Sequence, residues 1–233
     1  MREYASLQLI LDDRVEAARE RIIYAVTAYM DAMGMVPCKA DSAERTVSFV
    51  RVKGGWAVFD DCADRLDMSA LHGLARCLTS GLQTRAVAVM GLRNGFILRL
   101  YCGGSLRDIF STTPKALGGS AGRMGCSGHA IRWRLVLQEG IAIRELSDAF
   151  LNARKNPEDG FQEICRLLSL DESAGYGFSS IEDAHLEGVI TLYFHAANHL
   201  RQRWLDRLMR VPAKCGGAAP STFSHKKGCQ QRR

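Results

Sequence analysis

Four carboxylates, Asp60, Asp61, Asp64 and Asp67, fall within eight residues, directly after an aromatic run that carries Trp56. Oxygen ligands at that density suit a divalent cation. The loop spacing and closing Glu of an EF-hand are missing. The pattern favours an exposed acidic loop that steers a basic protein partner by charge complementarity. Trp56, Asp60, Asp61, Asp64 and Asp67 are therefore the expected partner contacts.

His195 and His199 stand i, i+4, the spacing that sets two imidazoles on one helix face as a metal chelate requires. No Glu follows His195, which excludes the His-Glu-x-x-His protease pattern. Cys215, His225 and Cys229 could complete such a site, but their spacing matches no zinc finger. Glu182-x-x-His185 is one half of a di-iron motif whose other half is absent. Cys126-x-x-His129 offers a nucleophile and a base without the third, orienting group that such a pair needs. Gly118 to Arg123 could cradle a phosphate, but the stretch lacks the Gly-Lys-Ser/Thr ending of a P-loop. Phe49, Trp56, Phe59 and Phe96 could stack RNA bases, yet the RNP1 pattern is missing and this region is not basic. No catalytic constellation assembles, and no cofactor is expected.

Charge is segregated along the chain. Of the net +6, the stretch from His199 onward carries nine basic residues and one acid, leaving residues 1–198 slightly acidic. Arg201, Arg203, Arg207, Arg210, Lys226 and Lys227 are the candidates for nucleic-acid contact in this alternative reading. Eight scattered cysteines without a Cys-x-x-Cys pair read as reduced thiols. No apolar run reaches the about 18 residues of a membrane span, and a signal-peptide core is missing, so a cytoplasmic protein is expected.

The elements that must position these residues show in the periodicity. Leu7, Leu9 and Leu11 alternate as a first strand. Asp13 and Glu16 match a capping box, and Val15, Ala18, Ile22, Val26, Tyr29 and Met33 follow at helical spacing until Gly34. Thr46–Lys53 and Trp56–Phe59 flank Gly54-Gly55 as a hairpin. Ser69 is the expected cap of a helix carrying Leu71, Leu74, Leu78 and Leu82. Ala86–Leu92 and Phe96–Cys102 flank Asn94-Gly95, and Leu106–Phe110 closes a meander. The order is β-α-β-β-α-β, that of an α+β ferredoxin-like sandwich, extended here by an antiparallel meander.

Residues 1–116 form this lobe, and 117–139 read as a Gly-rich linker or loop region. A helical region is expected over 140–211. It contains helices at Ile143–Ala153 and from Pro157 onward, then one long helix from Ser180 to Arg210. The stripe of that last helix runs through Leu186, Val189, Ile190, Tyr193, Ala197, Leu200, Trp204 and Leu208. Residues 212–233 read as a basic disordered tail.

Gly55-Trp56-Ala57-Val58-Phe59-Asp60-Asp61, then Arg107-Asp108-Ile109-Phe110-Ser111-Thr112-Thr113-Pro114, resembles a pattern of uncharacterised bacterial proteins. In these a Trp-x-x-Val-Tyr-Asp-Glu-like strand precedes one ending in Asp-x-Phe-x-Ser-x-Pro. Phe161–Leu170 and Tyr176 resemble their C-terminal half, so the likeness covers residues 45–180. Some such proteins look like immunity proteins of bacterial toxin systems. With no catalytic constellation, an acidic loop and an extended sheet edge, a non-enzymatic protein-binding module is expected, and the resemblance implies an immunity-type protein whose partner is a toxin. A homo-oligomer is compatible with it.

Overall fold

Glycine pairs between β-branched runs fold back as hairpins, and those hairpins organise the sheet. The structure is a computed structural model that describes residues 3–11, 15–64, 67–115, 125–181 and 186–197. Its strands are β1 (Tyr4–Ile10), β2 (Met35–Pro37), β3 (Arg45–Val52), β4 (Gly55–Asp60), β5 (Arg85–Leu92), β6 (Gly95–Cys102), β7 (Ser105–Ser111) and β8 (Ile190–Ala196). Its α-helices are α1 (Val15–Ala32), α2 (Asp61–Asp64), α3 (Met68–Gly81), α4 (Ala130–Trp133), α5 (Ile143–Ala153) and α6 (Pro157–Leu167). All eight strands pair antiparallel in one open sheet of order β2-β8-β3-β4-β1-β5-β6-β7.

The two hairpins close where the glycines stand. Val52 pairs with Gly55, and Leu92 pairs with Gly95. Gly34 ends α1 at φ +78°, a left-handed conformation that costs glycine little. Pro37 lies on β2, at the sheet edge, where its missing N–H breaks no ladder.

Strand alternation divides the core in two. Leu7, Leu9, Val47, Phe49, Trp56, Val58 and Met90 face α1 and α3, both of which lie on this side, with Ile22 and Leu74 fully buried. On the other face Val87, Val89, Phe96, Leu98, Leu100 and Phe110 pack beneath α4, α5 and α6. Val50, Ala57 and Phe59, on that same side of β3 and β4, are covered by Tyr176, Phe178 and Ile181. One compact unit spans Met1–Ala197.

Two expectations are corrected here. The apolar stripe after Ser180 is not a helix where it is described, because Ile190–Ala196 is the strand β8, inserted between β2 and β3. Ile190, Leu192 and Phe194 alternate onto the face that carries α1, where Phe194 is buried and Ile190 and Leu192 are half-buried against the core. The Gly-rich linker also ends early. Ala130–Trp133 is helical, and Trp133 and Val136 are buried in the second core. Asp13, Gly118 to Met124, Glu182 to His185 and all residues from Asn198 on lie outside the described residues.

Candidate functional site

Trp56, Val58 and Asp60 share one face of β4, so alternation carries Asp60 beneath α1 with the apolar residues. Arg45 reaches it from the neighbouring strand. Nε and one terminal nitrogen of Arg45 donate to the two Asp60 oxygens at 3.1 and 2.5 Å, and the Cys62 N–H donates to Oδ1 at 3.1 Å. The paired side chains are 4% and 0% exposed. Tyr29 of α1 lies over the guanidinium, 5.5 Å from its ring centroid. Burial alone would lower the Arg45 pKa, but its hydrogen bond and charge pairing with Asp60 raise it. Burial also pushes the Asp60 carboxyl upward, while Arg45 and the Cys62 N–H pull it back.

Of the expected acidic loop Asp60 is buried, Asp61 and Asp64 are half-buried and Asp67 is exposed, and three of the four hold the local structure together. Asp64 accepts from the Ala5 N–H at 3.4 Å and the Ser179 N–H at 2.9 Å, tying α2 to β1 and to the turn at Phe178–Ser180. Asp67, not Ser69, caps α3 by accepting from the N–H groups of Ser69 and Ala70. Trp56 is 2% exposed and packs on Phe49. Backbone donors and a buried cation attract these acids, and strand alternation leaves Asp60 no route to solvent.

Asp60, Asp61 and Cys62 bring ligand atoms within 4.8 Å of one another. They do not fit a metal. Arg45 occupies both Asp60 oxygens, and burial pushes the Cys62 thiol up to about 11, so it stays protonated at neutral pH. Burial likewise raises Cys165 to about 12.

His195 lies on β8 opposite Val36, so the one-helix-face geometry expected of it with His199 does not arise there. His199, Arg201, Arg203, Arg207, Arg210, Lys226 and Lys227 lie outside the described residues. Among the described residues no hydrogen bond joins Cys126 to His129. The residue that orients His129 is instead Asp108.

Asp108 is a site that the sequence reading missed. It shares a face of β7 with Phe110 and is 1% exposed. It accepts from the His129 N–H at 2.6 Å, Trp133 Nε1 at 2.7 Å and Arg132 at 3.3 Å, with His129 Nδ1 at 3.4 Å. Residues 126–128 run beside β7, where Ser111 N–H donates to Cys126 O and Gly128 N–H to Ile109 O. Gly128 (φ +69°) passes against the rings of Phe150 and Phe110, where a Cβ has no room. A charged residue on a buried strand face needs partners, and that demand was the signal in the sequence.

Asp108 therefore fixes α4, and α4 with the turn that follows it presents apolar side chains to solvent. Ile131 is 54% and Leu135 44% exposed. With Arg132 and Arg134, and with Leu106 and Arg107 of β7, they line an open groove of about 680 Å³. The Arg85 guanidinium donates to Leu135 O at its margin. Comparison with family models, curated proteins and solved structures finds no match to this chain.

Proposed function

We propose that this chain is a non-enzymatic protein-binding module that acts by occluding its partner, as immunity proteins of bacterial toxin systems do. The observation that supports it is the groove of exposed Ile131 and Leu135 ringed by Arg107, Arg132 and Arg134. Exposed aliphatic side chains give a partner apolar area to cover, and arginines at the rim give charge complementarity and steering. The arginine rim of the groove suits an acidic partner segment. The order β3-β4-β1-β5, with α1 and α3 on one face, supports a ferredoxin-like βαββαβ core as the scaffold.

Selection of a displayed random peptide library on the immobilised protein tests the reading. Wild type should enrich segments with Asp or Glu flanking aliphatic residues, with retention falling as salt rises. Ile131→Asp with Leu135→Asp should abolish that enrichment and leave the fold intact, since both side chains are exposed. Equal enrichment by the double variant would remove the groove from the mechanism. The immunity element predicts that the chain rescues cells expressing a toxin encoded beside its gene, and that the double variant does not.

A further inference from the structure

The β6–β7 turn is fastened to α3. Gly104 N–H donates to Thr79 Oγ1 at 3.1 Å, and Gly104 O accepts from Arg76 Nε at 3.1 Å. The attachment holds α3 over β6, so that His72, four residues before Arg76 and on the same helix face, meets Tyr101. The two rings stand 5.6 Å apart, and the Tyr101 hydroxyl lies 2.8 Å from His72 Nδ1. Tyr101 is fully buried. Arg99, two residues earlier on β6, shares its face by strand alternation.

Three nitrogen bases thus gather at one phenol. Arg76 is exposed, while His72 and Arg99 are half-buried. Arg99 Nε is buried and has no hydrogen-bond partner. Among the described residues none of the three forms an ion pair; the ion pairs there involve other side chains. Partly desolvated guanidinium without a counter-charge is costly, and two beside an imidazole repel one another. The His72 pKa registers this, held below the ordinary imidazole value first by burial, then by Arg99 and Arg76. An anion at this point would relieve the repulsion. When the Tyr101 hydroxyl donates to His72 Nδ1, the imidazole proton sits on Nε2, which is then a donor for an anion.

We propose that His72, Arg76 and Arg99, braced by Tyr101, form a binding site for a phosphate-type oxyanion. Donors from three side chains outnumber the two oxygens of a carboxylate and suit the several acceptor oxygens of a tetrahedral anion. The site is separate from the arginine-lined groove, and its test does not depend on the proposed protein partner.

The test is titration of the full chain with inorganic phosphate, followed by the His72 imidazole resonances and by the melting temperature. Acetate and chloride at equal ionic strength serve as comparisons. Saturable shifts with phosphate, weaker with acetate, are expected. Arg99→Gln should weaken binding by about tenfold or more, the scale of one charge-assisted hydrogen bond. Arg76→Gln changes an exposed residue and keeps the test open if the Arg99 variant does not fold. Arg144→Gln, an exposed side chain of α5, should bind as wild type. Non-saturating shifts, or saturation indifferent to both Arg76 and Arg99, overturn the proposal. Saturation by a phosphorylated peptide or nucleotide well below that by free phosphate would place the anion on a larger ligand.

Discussion

Removing the Asp60 carboxylate should expose the energetic role of the Arg45–Asp60 pair. An exposed ion pair contributes about 0–1 kcal/mol. These side chains are 4% and 0% exposed, so Asp60→Ala strands a guanidinium under α1 and also orphans the Cys62 N–H. Loss of one partner from such a pair costs about 3–5 kcal/mol. Replacing both at once, as Arg45→Met with Asp60→Leu, removes the charges together and should cost far less, since a well-packed apolar pair often matches a buried ion pair. Urea unfolding of wild type, Arg45→Met, Asp60→Leu and the double variant, followed by the fluorescence of buried Trp56 and Trp133, gives the double-mutant cycle. With a slope of about 2 kcal/mol/M, the Asp60→Ala midpoint should fall by about 1.5–2.5 M. A fall equivalent to less than about 1 kcal/mol would show that the pair is hydrated, and a double variant as unstable as Asp60→Ala would show that the loss does not come from the stranded charge; either refutes the reasoning.

Trp133→Phe should lower stability by about 2–3 kcal/mol, because the lost Nε1 donor leaves the buried Asp108 carboxylate short of a charge-assisted bond; an unchanged urea midpoint would detach Trp133 from that role. Asp67→Ala should cost about 1 kcal/mol as a lost helix cap, whereas Ser69→Ala should be nearly silent. Gly128→Ala should destabilise through its left-handed backbone and the Phe150 ring, detectable as a lower melting temperature. His72 is held low in the folded state, so its contribution to stability is full above the unfolded imidazole value of about 6.5 and is lost as pH falls below it. Urea midpoints in phosphate-free buffer at pH 7 and pH 5 should differ less for His72→Gln than for wild type.

Much of the sheet was legible because its signals are local. Lys53-Gly54-Gly55-Trp56 and Arg93-Asn94-Gly95-Phe96 each set a hairpin within a few residues, and the register follows from the turn. The α1, α3, α5 and α6 patterns repeat often enough to fix their period. β8 was not legible, because Leu186, Val189, Ile190 and Tyr193 meet helical spacing as well as Ile190, Leu192 and Phe194 meet alternation. Only the long-range partners β2 and β3 resolve that ambiguity. The acidic cluster misled for a related reason. Charge density reads as a solvated surface until Asp60 is placed in phase with Trp56 and Val58, and Asp108 in phase with Phe110. The arginine groove is assembled by β7 and α4 together, and neither segment signals it alone.

The position of β8 also bears on the order in which the sheet can form. Among the described residues β2 pairs with β8 alone, and β3 pairs on that side with β8 alone. A nascent chain that has yet to release Ile190–Ala196 can assemble its central strands, but one flank stays unzipped, with the backbone of Arg45–Val52 bare along its length. Closing it requires a loop spanning most of the polypeptide, a high-contact-order step that is slow by its nature. During that interval the bare ribbon is a template for another copy, so aggregation should compete with folding at this edge above all others.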